Sequence, residues 1–126
     1  MQAKGSPAYL RTHRLRGKVL EFILRAEAEE LRERAESAKS GRAAKTLVKE
    51  GALRVTLVAL TKGTALQPHR VAGPASIQSI RGCLRVTTEA GELDVPAGNL
   101  VALDAGVANT VKALDDCVAL LTVAML

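Results

Sequence analysis

Few side chains in this sequence are equipped for chemistry. There are two histidines, His13 and His69. His13 falls in a polar, arginine-rich opening segment, whereas His69 lies among strand-forming residues. An imidazole titrates near neutrality, so His69 is suited to proton transfer or to contact with a ligand. Arg70 beside it suits an anion, and also suits plain exposure to solvent. Asn109 and Gln78 are amides able to hydrogen-bond a bound molecule. Asp104 fits a turn on its own merits. Asp115-Asp116 reads as a hairpin loop, since adjacent loop carboxylates seldom converge into an acid/base pair. Cys83 and Cys117 are 34 positions apart, each in an apolar run. They form no CxxC pair, so a zinc knuckle is not indicated. Buried free thiols are the expectation, with a disulfide between distant strands as the alternative. No nucleophile elbow, phosphate loop or triad spacing is present.

The elements that must position these groups are mostly strands. Residues 1–16 show little periodicity and contain Gly5 and Pro7. Gly17 to Leu24 carries Val19, Leu20, Phe22 and Ile23 and predicts a short strand. From Arg25 to Lys39 the apolar positions become Ala28, Leu31, Ala35 and Ala38, spaced by three and four, as on one face of a helix. Glu30 and Arg34 are in the favourable i,i+4 order, and Ser40-Gly41 supplies a stop. Beyond Ala44 the texture is β. Leu53, Val55 and Leu57 alternate with Arg54 and Thr56, a half-buried strand pattern. Strand-sized runs follow at Ser76–Ile80, Leu84–Thr88, Leu93–Val95, Leu100–Leu103, Thr110–Leu114 and Val118–Val123, separated by glycine-rich turns. About eight short strands at such spacing indicate a sandwich or barrel.

The 126 residues suit one domain, and 48% apolar content suffices for a packed core. Only 2% are aromatic, namely Tyr9 and Phe22. The core must be aliphatic, and stacking platforms for single-stranded nucleic acid are missing. The net charge of +5 comes from Lys4, Arg11, Arg14, Arg16 and Lys18, because acids and bases balance over the remainder. A basic tail can meet nucleic acid or an acidic partner, although solubility is the commoner use. The longest apolar run, Cys117 to Leu126, is too short to span a bilayer. Glu21 interrupts the first hydrophobic patch, so no signal-peptide core is indicated. The expectation is a cytoplasmic protein with no membrane partner.

The turn glycines have a definite spacing. Gly63 is followed by five residues and then His69-Arg70-Val71; Ala75 comes next after three more, and Gly82 after six more. Gly98 is followed by five residues, then Asp104-Ala105-Gly106, Asn109 and Ala113. This frame resembles the two motifs of small single-domain cupins over roughly Thr46 to Val123. The resemblance implies a double-stranded β-helix, a jelly-roll-like barrel, with Gly63, Gly82, Gly98 and Gly106 at its corners. It divides the chain into a basic tail (1–16), a strand and amphipathic helix (17–43) and the barrel (44–126).

The resemblance also implies a metal held by two histidines, a glutamate and a third histidine. Here His69 alone keeps its position; Val71, Ala75 and Asn109 replace the others. No metal or other cofactor is therefore expected, although a divalent transition metal is the alternative. The implied pocket is lined by His69, Val71, Ala75, Ile77 and Asn109. Strict alternation turns Gln78 away from it, unless a bulge near Pro74 reverses the face. The leading expectation is a metal-free small-molecule-binding or weakly catalytic domain. One alternative is a metal-dependent dioxygenase- or isomerase-like enzyme using His69, Gln78 and Asn109. Another is an interaction module that uses the basic tail and helix. Small cupins pair through N-terminal strands, so a homodimer with Val19–Leu24 at its interface is also expected.

Overall fold

A computed structural model describes residues 19–66 and 72–125. The basic tail 1–16, His13, and the pocket positions His69 and Val71 lie outside the described residues. Among the described residues, one helix, α1 (Leu24–Ser37), is followed by eight strands: β1 (Arg42–Glu50), β2 (Leu53–Leu60), β3 (Ala75–Arg81), β4 (Leu84–Thr88), β5 (Gly91–Val95), β6 (Leu100–Leu103), β7 (Thr110–Ala113) and β8 (Cys117–Ala124). They form a five-stranded sheet in the order β1-β2-β8-β3-β6 and a three-stranded sheet in the order β5-β4-β7. Every pairing is antiparallel.

Residues 19–23 have no regular structure, which corrects the short strand expected from Gly17 to Leu24. The apolar run is used differently: Leu20, Phe22 and Leu24 line the outer face of the sheet. The first barrel strand begins at Arg42, two positions before the expected boundary at Ala44.

Helix α1 has no side-chain N-cap, and its position depends on what it covers. Ala28, Leu31 and Ala35 pack with Leu47, Leu57, Ala59 and Val118 on the outer face of the large sheet. Burying Leu31 alone contributes about 2 kcal/mol. Arg32, rather than the expected Arg34, makes ion pairs along the helix, with Glu29 and with Glu36 (2.6 Å). Glu29 also meets Arg81 of β3 at 2.8 Å. The two arginines hold the Glu29 carboxyl below the usual carboxylate range, Arg32 foremost.

The barrel interior is aliphatic, as the composition requires. Val58, Leu60, Ile77, Leu84, Val86, Val95, Val111, Ala113 and Ala119 form one buried cluster between the two sheets. Register explains which residues enter it. Across the inner face of the large sheet run the rows Thr56–Leu121–Ile77–Val101 and Val58–Ala119–Ser79. The intervening residues face the helix.

The four corner glycines all carry positive φ, from 77° to 93°. Gly82 has a second constraint, because a Cβ there would lie 2.3 Å from the carbonyl oxygen of Asp116. The β7–β8 loop is held by its two acids. Asp115 Oδ1 accepts from the Cys83 backbone N–H (2.7 Å), and Asp116 Oδ1 accepts from that of Lys62 (2.8 Å). The bond from Cys83, reinforced by the Cys117 thiol, keeps the Asp115 carboxyl below its ordinary value. Both cysteines are free thiols.

Candidate functional site

The candidate site is the end of the barrel interior where β3, β6, β7 and β8 meet. Leu66 donates its N–H to Val111 O at 2.8 Å, which brings the chain to β7 just before position 67. It returns at Ala72–Pro74 beside the end of β8, where Ala124 donates its N–H to Pro74 O at 3.0 Å. Leu66 and Pro74 thus both lie at this end of the barrel.

A cavity of about 30 Å³ opens here, lined by Ala75, Ser76, Ile77, Leu103, Asn109, Val111, Leu121 and Val123. That is room for roughly one water molecule or one methyl group. Most of the lining is hydrocarbon. Asn109 is the exception: it is 4% exposed, and its Oδ1 has no hydrogen-bond partner among the described residues. Its Nδ2 makes one long contact to Val107 O at 3.4 Å. A buried, unsatisfied acceptor costs about 1–3 kcal/mol, so a donor entering this space would be bound strongly.

Of the residues expected to line the pocket, the structure brings together Ala75, Ile77 and Asn109. Gln78 is not among them, in keeping with strict alternation from Ala75. Its register partners are Leu120 and Leu100, and Leu120 packs with the helix-side cluster. No bulge occurs near Pro74. The register shift falls later, between Ser79 and Arg81, so alternation holds from Ala75 through Gln78. A reduced metal site built from His69, Gln78 and Asn109 therefore loses its second member.

The donor chemistry of the described part of the site does not fit a divalent transition metal. Such an ion needs imidazole, thiolate or carboxylate ligands. Ala75 offers a methyl group and Asn109 a neutral amide. Among the described residues, no three His, Cys, Asp or Glu side chains come together.

The arrangement matches known barrels. A protein of unknown function from Rhizobium leguminosarum aligns over 87% of this chain and all of its own, with a TM-score of 0.68 and 16% identity. A cupin superfamily protein from Desulfitobacterium hafniense covers 67% of this chain and 77% of its own, at TM-score 0.65 and 11% identity. The fold is that of a cupin. A cupin 2 conserved barrel domain protein from Leptotrichia buccalis covers 73% of this chain and 45% of its own, at TM-score 0.65 and 24% identity. A salicylate 1,2-dioxygenase from Pseudoaminobacter salicylatoxidans also aligns, at TM-score 0.63 and 18% identity, over 79% of this chain and 31% of its own. No protein-family model matches the sequence, and no curated protein matches it.

A second concavity lies outside the barrel. Leu20, Phe22 and Leu24 cover the outer sheet face at Leu47, Val55 and Leu120, and enclose an open apolar cleft of about 480 Å³. Val19 and Ile23 on its covering segment are 81% and 69% exposed. The sequence signal for it was the apolar run from Val19 to Leu24, which pattern alone assigned to a strand. Among the described residues, no helix is long and apolar enough to cross a membrane.

Proposed function

We propose that this cupin is a metal-free, small-molecule-binding barrel whose ligand enters the end containing Asn109. The observation that carries the reading is the buried, unpartnered Asn109 Oδ1 at the wall of an otherwise apolar cavity. Its ligand presents an apolar group with a hydrogen-bond donor. The reading is one of binding, because Asn109 offers a ligand a neutral amide amid hydrocarbon.

The test is a thermal-shift and NMR screen of small alcohols, amides and acids against the full chain and its Asn109→Val variant. Saturable binding weakened at least tenfold in the variant supports the reading. Equal binding by both proteins overturns it, as does stoichiometric metal that disappears with His69→Ala. The expected homodimer draws support from the exposed apolar residues Val19, Ile23 and Leu53. Light scattering on the full chain tests it, and a monomer would end it.

A further inference from the structure

The edge of the large sheet carries a feature the core does not explain. Lys49 of β1 stands directly opposite Arg54 of β2. Like charges placed directly opposite one another across a ladder are destabilising. Neither cation has a salt-bridge partner among the described residues.

Register gives their face. Val55 and Leu57 turn toward the helix, so Arg54 and its partner Lys49 turn to the opposite, barrel side. One continuous row then runs across that side: Lys49, Arg54, Val123, Ala75 and Leu103. Its last three members line the cavity. Neighbouring strands are about 4.8 Å apart, so Arg54 begins one strand from Val123 and two from Ala75. The three-stranded sheet does not cover this part of the row, where Lys49 is exposed and Arg54 half-buried.

Arg54 is partly committed to the β1–β2 turn. Its Nη1 donates to Gly51 O (2.7 Å) and Leu53 O (3.0 Å). The guanidinium is planar and carries five N–H donors, so the turn contacts orient it and, among the described residues, leave Nε and Nη2 unused. Lys49 adds a second, exposed charge. In the next row Thr46 and Thr56 supply hydroxyls, and Thr56 is register partner to the cavity residue Leu121.

We infer that the Lys49–Arg54 pair holds the anionic head of the barrel's ligand, which is a small amphipathic carboxylate. Its hydrocarbon lies along Val123 and Ala75 toward the cavity, where a hydroxyl at its far end donates to Asn109 Oδ1, and the bound anion relieves the repulsion between the two cations. This inference rests on the binding reading above and adds the ligand's charge and direction.

The experiment titrates the full chain with straight-chain ω-hydroxycarboxylates from ω-hydroxybutyrate to ω-hydroxyoctanoate and with the corresponding diols as the alcohols, by NMR or calorimetry. Carboxylates should bind about tenfold more tightly than alcohols at low salt, as a charge-assisted hydrogen bond allows. Raised salt, Arg54→Gln or Lys49→Gln should remove that advantage while leaving alcohol binding unchanged. Lys49→Glu gives an independent check, since it should raise stability slightly and abolish the preference for carboxylates. Equal affinity for acids and alcohols in the wild type overturns the carboxylate inference and leaves the binding reading standing. Carboxylate binding that responds to Arg54→Gln but not to Asn109→Val upholds the cationic rim and overturns the role of Asn109. No saturable response to either series overturns both.

Discussion

Lys45 extends from β1 into the layer beneath the helix and forms an ion pair with Glu27 there, the two side chains being only 3% and 8% exposed. The pair sits beside the apolar contacts of Leu31, Leu47 and Leu57. It also places a charge on the inward face of an edge strand, a device that discourages pairing with a further chain. A register shift between Thr46 and Val48 distorts the same edge.

Breaking this pair from one side leaves a buried charge without compensation. Glu27→Leu or Lys45→Met alone should each cost about 3–5 kcal/mol, while the double variant should fall within about 1 kcal/mol of wild type or exceed it. Urea denaturation of the four proteins measures the coupling. Additive single effects would show that the pair is solvated in solution.

Cys117 is 1% exposed, with its sulfur 2.9 Å from Asp115 O and 3.0 Å from Cys83 O. Burial pushes its thiol from an ordinary value of 9.0 up to about 12. The thiolate is the reactive form, so Cys117 should resist thiol reagents at pH 8 until the protein unfolds. The unfolded chain loses this proton near pH 9 and the folded chain near pH 12. Stability from this group is thus complete below about pH 9 and falls as the pH rises toward 12. Denaturation midpoints from pH 8 to 11 should decline less in Cys117→Ala than in wild type.

Gly73 is buried where the returning chain crosses the end of β8. A Cβ added there would lie 1.5 Å from the carbonyl oxygen of Ala124. That atom is backbone in a paired strand and cannot swing aside. Gly73→Ala should therefore cost about 3 kcal/mol and loosen the end of β8. Calorimetry gives the loss, and amide exchange at Ala124 and Met125 locates it. A wild-type melting temperature would contradict the close approach.

Asn109→Val should separate stability from binding. Valine is of comparable bulk and leaves no acceptor unpaired, so the variant should gain about 1 kcal/mol. Chemical denaturation without ligand tests this, and a loss of stability would show that Oδ1 is satisfied in the folded protein.

Much of the fold was legible in the sequence because its signals are local. Alternation fixed the strand-sized runs, and β4 and β6 match Leu84–Thr88 and Leu100–Leu103 residue for residue. The three-and-four spacing of Ala28, Leu31 and Ala35 marked the buried face of the helix. Gly63, Gly82, Gly98 and Gly106 marked corners because few other residues adopt positive φ without strain. Alternation from Ala75 also turned Gln78 outward, and the bulge that would have reversed it falls elsewhere.

What the tertiary structure alone decided depends on partners distant in the chain. Val19–Ile23 has strand composition, but it covers the outer sheet face without joining a ladder. Glu27 reads as one more solvated acid of the helix; it is buried because Lys45, 18 positions later, rises from the strand beneath it. The unsatisfied Asn109 and the row joining Lys49 and Arg54 to Val123 and Ala75 follow from sheet order and register. Those are set by which surfaces the whole chain can bury together, and composition and periodicity record only the local half of that requirement.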